Sequence, residues 1–195
     1  MVTGAEDTRQ LILRTAETLF LHYGYNAVSM NQLVDEVSKV RKLSKPAVYY
    51  HFEDKEALFT AVVRALMERH GREIAAAAAV EGDLHTRVYA LATAIERGNP
   101  REFPRMIGDF AHALSDAGRA ELEQTFQRAI MQPLVATFTQ AAASGELRPE
   151  ISPPLAARMF FHLVGSLHFG PPTEHSAQDN AKTVTDLLLN GIAAR

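Results

Sequence analysis

Apolar residues return every three to four positions along almost the whole chain, and nowhere do β-branched residues alternate with polar ones between hairpin-type turns. That periodicity predicts an all-α protein. Leu11, Ile12, Ala16, Leu19, Phe20 and Tyr23 share one face of a first helix, and Gly24 follows at the place where a left-handed residue ends a helix. Ser29 and Gln32 make a capping-box pattern for a second helix, whose Met30, Leu33, Val34 and Val37 point inward. Ser44 caps a brief third helix, with Pro46 in its first turn, where a missing amide donor costs little. Asp54 caps a much longer fourth helix with the stripe Leu58, Phe59, Val62, Val63, Leu66 and Met67, which runs on into the alanines at 75–79.

Further helices are predicted near 83–97, 101–114, 116–143, 152–169 and 177–193, parted by Gly98-Asn99-Pro100, Ser115, Gly145 and Gly170-Pro171-Pro172. Ser152 followed by Pro153 is a good helix start. Pro133 falls inside the longest of these segments, where its ring removes one backbone bond and crowds the preceding turn, so a kink or break is expected there.

Composition narrows the setting. With 47% hydrophobic residues the 195-residue chain can bury a substantial core, yet no run approaches the roughly 18 apolar residues of a membrane span. Absence of cysteine excludes a disulfide framework and a thiolate metal site. The start, MVTGAEDTRQ, lacks the basic cluster and apolar stretch of a secretory leader. A soluble, cytoplasmic protein with no membrane partner is the expectation. A net charge of −3 argues against binding nucleic acid through the whole surface. Residues 39–52, however, hold Lys39, Arg41, Lys42 and Lys45 with no acid, a patch able to meet phosphates or simply a solvated face.

Two short helices joined by a tight connection, the second aromatic and basic, suggest a helix-turn-helix whose recognition helix enters the major groove. The run Lys45-Pro46-Ala47-Val48-Tyr49-Tyr50-His51-Phe52 supplies donors for phosphate oxygens, flat phenols that pack on sugars, and small side chains that allow close approach. Val48 and Phe52, four residues apart, would seat this helix on the core.

At these residues the chain resembles the TetR family of bacterial regulators. The resemblance runs from Ile12-Leu13-Arg14-Thr15-Ala16-Glu17-Thr18-Leu19-Phe20 through Gly24-Tyr25 and Val28-Ser29-Met30 to Ser44 through Phe52 and Lys55-Glu56-Ala57-Leu58-Phe59. It implies an amino-terminal three-helix DNA-binding domain over 1–55 and a larger helical ligand-binding and dimerisation domain over 56–195. By the same resemblance Ser29 and Asn31 would touch phosphate, Lys45, Pro46, Ala47 and Tyr49 would lie nearest the bases, and Tyr50, His51 and Lys55 would hold the DNA backbone. Lys42 and Ser44 complete the candidate DNA-contacting set. Bland alternatives stand beside these roles: Ser29 as a cap alone, and Tyr49 or Tyr50 as partly core.

One departure from the family pattern stands out. The segment Val37-Ser38-Lys39-Val40-Arg41-Lys42-Leu43 is about four residues longer than expected and carries no glycine. Roughly one added helical turn is predicted, since four residues preserve the apolar phase through Val37, Val40 and Leu43. Lys39, Arg41 and Lys42 would then stand near the DNA backbone.

The family implies that the remaining helices form an effector chamber and a dimer interface. Phe103, Met106, Phe110, Phe126, Ile130 and Phe161, with His162 as a polar contact, are the candidate lining for a small, largely apolar effector, although core packing explains most such residues equally well. One seam of a dimer-forming four-helix bundle would carry Leu155, Met159, His162, Leu163 and Ser166, and the other Val184, Leu187, Leu188 and Ile192. A homodimer would bind palindromic, double-stranded operator DNA, most simply as a repressor released by its effector. No cofactor or metal is implied. The rival classes are a helical small-molecule-binding protein and an enzyme, but His112 near Asp109 and Asp116 is the best acid-base cluster available, with no nucleophile motif or glycine-rich loop beside it.

Overall fold

The computed structural model describes residues 4–98, 114–167 and 176–192, and every regular element among them is a helix. They are α1 (Gly4–Tyr23), α2 (Met30–Val40), α3 (Lys45–His51), α4 (Lys55–Ala78), α5 (Leu84–Gly98), α6 (Asp116–Phe126), a π-helical turn (Gln127–Met131), α7 (Gln132–Ala143), α8 (Pro153–Ser166) and α9 (Ala177–Ile192). The helix expected at 101–114 lies outside the described residues except for Leu114. None of these helices is long and apolar enough to cross a membrane. The described residues form two compact units, one of 4–66 with 114–124 and the other of 67–98, 125–167 and 176–192.

In the first unit, α1 ends as its glycine requires: Gly24 has φ 80°, and its N–H donates to the Phe20 carbonyl at 2.9 Å. Ile12, Ala16 and Phe20 are buried as their spacing demands, but Tyr23 is not. The chain turns away immediately after it, so the last turn of α1 projects past the core and Tyr25 supplies the inward aromatic instead. The rings of Tyr25 and Phe20 stand 4.7 and 5.1 Å from that of Phe59, both edge-on. Ser29 caps α2 by accepting from the Gln32 N–H at 3.1 Å, and Leu33 and Val37 fill the core behind it.

Helix α2 continues through the added segment only as far as Val40. That side chain is 71% exposed rather than in phase with Val37, and Arg41 is extended at φ −146°, ψ 128°. Local polar bonds outweigh the apolar phase here. The Ser38 hydroxyl donates to the Leu43 carbonyl at 2.9 Å, and the Arg41 guanidinium reaches Thr8 on α1 at 3.2 Å, folding the connection back on itself.

In the second unit, α7 packs on α8 and α9 on α5, enclosing Leu91, Leu134, Phe138, Phe160, Val164 and Val184. Pro133 does not break the helix. The turn before it is widened, with the Gln132 N–H donating to the Gln127 carbonyl five residues back, and this π turn makes room for the ring near Ala129. Ala129 also lies tight against Gly71 of α4. A methyl group placed on Gly71 would lie 2.6 Å from the Ala129 carbonyl oxygen, a rigid backbone atom. Gly71→Ala is therefore expected to destabilise the protein by about 1–3 kcal/mol in chemical denaturation, despite alanine's better helix propensity.

The start of α5 is tied to the turn after α7. Arg87 is buried and donates to Glu146 at 2.7 Å, while the second carboxylate oxygen of Glu146 accepts from the Leu84 N–H at 2.6 Å. The Ser144 hydroxyl above all, joined by that backbone N–H and the Arg87 charge, holds the Glu146 carboxyl below its ordinary pKa, outweighing the opposing effect of desolvation. A folded-state pKa below that of the unfolded chain gives stabilisation that is complete above the ordinary carboxylate range and lost as pH falls through the lowered value. Urea unfolding across a pH series should show Glu146→Gln less stable than wild type at neutral pH, with the gap closing in acid.

Candidate nucleic-acid interface

Seven residues are too few for a helix stable in isolation, so α3 exists because one face of it is buried. Val48 is fully buried and Phe52 nearly so, with the Phe52 N–H closing the helix on the Val48 carbonyl at 3.1 Å. Pro46 sets the first turn, and Ser44 stands at the cap position without a side-chain cap bond, leaving the Ala47 and Val48 amides to the Ser44 carbonyl. That anchorage decides what faces outward. Lys45, Pro46, Tyr49 and Tyr50 are exposed, Tyr50 at 85%, while Ala47 and His51 are half-buried. Neither tyrosine belongs to the core.

The exposed face has its own order. The Lys45 ammonium lies 5.8 Å from the Tyr49 ring centroid, and the Tyr50 and His51 rings meet edge-on at 5.4 Å. The Lys45 ammonium thus stands beside the Tyr49 ring on the outward side of α3. Ser29 and Asn31, at the start of α2, are also exposed. Lys55 is half-buried, its ammonium 4.2 Å above the Tyr25 ring. Burial, then the nearby Glu56 and Asp54 carboxylates, push the Tyr25 phenol above its ordinary pKa, so it stays neutral beneath that cation.

The three cations of the lengthened connection separate by partner. Lys39 is bonded to Glu36 at 2.7 Å, which raises its pKa, and Arg41 is bonded to Thr8. Lys42 is exposed on the extended stretch between α2 and α3. The first unit thus presents Lys42, Ser44, Lys45, Tyr49 and Tyr50 along one short run of chain, with Ser29 and Asn31 at the neighbouring helix start.

Two features escaped the sequence reading. Arg9 of α1 lies over the Phe52 ring at 5.0 Å, bracing the C-terminal end of α3. Asp54 caps α4 through the Ala57 N–H at 2.7 Å as expected, but its neighbour Glu56 accepts from both the N–H and the hydroxyl of Ser115, at 2.8 and 2.5 Å. No local pattern signals a bond across that sequence separation.

Of the candidate effector-lining residues, Phe103, Met106 and Phe110 lie outside the described residues, as do His112 and Asp109 of the candidate acid-base cluster. Phe126 and Phe161 are half-buried and meet edge-on at 5.2 Å, Ile130 is buried, and His162 is exposed. Of the proposed dimer seams, Leu155, Met159, His162, Ser166 and Leu187 are exposed and Leu163 is half-buried. Val184 and Leu188 instead face the unit's own core, because α9 spends that stripe on α5. Among the described residues no group of three or more His, Asp or Glu side chains is placed to hold a metal ion.

The family model described as bacterial regulatory proteins, tetR family, matches residues 12–62. An uncharacterised HTH-type transcriptional regulator of Bacillus subtilis, YhgD, is 25% identical over 183 residues, 93% of each chain. The HTH-type transcriptional repressor Rv1474c of Mycobacterium tuberculosis is 36% identical over 74 residues, 38% of this chain and 35% of that protein. Among solved structures, a TetR/AcrR-family regulator from Thermobifida fusca superposes with a TM-score of 0.72 at 26% identity, covering 95% of this chain and 98% of its own. AibR, solved with isovaleryl coenzyme A and operator DNA, shares the fold at 21% identity and a TM-score of 0.71, covering 93% and 98%. Residues 12–62 thus carry the tetR-family motif, and over 95% of its length the chain is similar to a solved TetR/AcrR-family regulator.

Proposed function

We propose that the protein is a ligand-responsive transcriptional repressor that binds a palindromic operator as a homodimer. The observation that carries this reading is the two-faced α3: Val48 and Phe52 buried, and Lys45, Tyr49 and Tyr50 turned outward beside the exposed cap of α2. Tyr49, Lys45, Pro46 and Ala47 read base edges; Ser29, Asn31, Lys42, Ser44, Tyr50, His51 and Lys55 hold phosphates and sugars. Residues 1–55 supply this reader and 56–195 the effector chamber and dimer contacts. The reaction it controls is a binding equilibrium, so it needs no catalytic group.

The test is selection of bound duplexes from a random DNA pool at defined salt, followed by anisotropy titrations. Lys42→Ala should weaken binding about equally for all sequences and lower the salt slope by about one. Tyr49→Ala should cost about 1–3 kcal/mol on the selected operator and relax its base preference. Binding left intact in both variants would remove this site assignment.

Effector release follows from differential affinity: a ligand favours DNA-free protein only if it binds better to a conformation that does not fit the operator. A small, largely apolar effector is the ligand we propose, and the operator and ligand complex of AibR supports pairing these two activities on this fold. For dimerisation, Leu155 and Met159 on α8 and Leu187 on α9 are, among the described residues, large apolar side chains left exposed by the chain's own core. Sedimentation equilibrium should find Met159→Glu/Leu187→Glu shifted to monomer with a folded helical spectrum, and operator affinity should fall with it, since each half-site then binds alone.

A further inference from the structure

We infer that Glu56 is a positioning residue for operator binding, acting as a staple that fixes the α3–α4 joint to the start of α6. The inference rests on the operator-binding reading above. Glu56 stands in the first turn of α4, five residues after His51 and next to Lys55, where the chain turns from the recognition helix into the long helix. A carboxylate beside residues that meet phosphate should oppose DNA binding. Here it faces away from that duty and is spent on Ser115: one oxygen takes both the Ser115 N–H and its hydroxyl, and the same hydroxyl accepts from the Gly118 N–H at 3.2 Å. The anion thus sits on the N-terminal end of α6, where backbone amides and the helix dipole favour it.

The surroundings leave this job to the staple. Gly118 comes so close that a methyl group on it would lie 3.0 Å from the Glu56 oxygen, and 3.5 Å from the hydroxyl of buried Thr60 one turn further along α4. One turn beyond that, Arg64 bonds the Glu121 side chain at 2.7 Å, a contact between two long, exposed side chains, whereas Glu56 takes a backbone N–H as well as the hydroxyl of Ser115. Beside the contact runs an open groove of about 480 Å3 bordered by His51, Glu53, Ala57, Ala117 and Glu121, so side-chain packing does not fill the gap. Leu114 and Leu122 anchor the segment on either side, and between them the charge-assisted bond of Glu56 sets the register of α4. Residues 114–124 accordingly belong to the same compact unit as the recognition helix.

Operator titrations at fixed salt separate the two possible signs. If Glu56 only repels DNA, Glu56→Ala and Glu56→Gln both bind as tightly as wild type or tighter. The staple predicts the reverse: Glu56→Ala weakens binding roughly tenfold, the size of a lost charge-assisted bond, and Glu56→Gln recovers most of it because the amide oxygen still accepts from Ser115. The salt slope is unchanged in both, since no phosphate contact is removed. Ser115→Ala, which keeps the backbone donor, weakens binding a few-fold and adds nothing on the Glu56→Ala background. Measurements well below the melting temperature of every variant exclude unfolding, and the Glu56→Gln and Ser115→Ala pair suffices if Glu56→Ala does not fold. Equal or tighter binding by the Glu56 variants, or independent additive losses, overturns the staple. A wild-type protein with no salt-dependent preference for a palindrome overturns the operator reading instead.

Discussion

The burial of Val48 and Phe52 is the contact on which the outward face of α3 depends. A helix of seven residues cannot hold its own backbone bonds in water, so its geometry is borrowed from the core built by Phe20, Leu33, Val37 and Phe59. Each of those two side chains contributes about 1.5–3 kcal/mol by leaving water, enough to order so short a segment. Everything exposed on α3 follows from that choice of face. With residues 48 and 52 inward, residues 46, 49 and 50 turn outward, and Lys45, at the first position of the helix, is exposed beside them.

Around that anchor the polar side chains divide between holding the unit together and facing outward. Asp54 caps α4, Ser29 caps α2, Arg41 ties the lengthened connection to Thr8, and Glu56 reaches the start of α6. The connection between α2 and α3 shows how local bonds compete with periodicity. Continuing the helix to Leu43 would keep an apolar phase but bury little, whereas the Ser38 bond to the Leu43 carbonyl turns the chain toward the cap of α3 at once. In the second unit the π turn before Pro133 is a similar compromise, in which one wide turn lets a single long helix keep both its proline and its close approach to Gly71.

Much of this was legible in the chain itself. Helix type came from a 3.6-residue apolar repeat, helix starts from Ser29, Ser44-Lys45-Pro46, Asp54 and Ser152-Pro153, and the end of α1 from Gly24, because capping and periodicity act over three or four residues that the sequence displays side by side. The helix-turn-helix and its outward residues were legible for the same reason, since the i and i+4 pair Val48 and Phe52 announces which face turns in.

What the sequence could not display are contacts between residues far apart along it. It showed Tyr23 as one more apolar-phase residue and Val184 and Leu188 as a seam for a second copy. Only packing decided that Tyr25 takes the inward place and that α9 turns those side chains onto α5. Likewise nothing local to Glu56 in the sequence points to Ser115, which the fold brings against it. The amino-acid order by itself determined an all-α chain with an aromatic and basic outward face on its third helix; the tertiary structure decided which distant groups hold that face in place, because a hydrogen bond is sensitive to tenths of an ångström and no local repeat encodes separation in space.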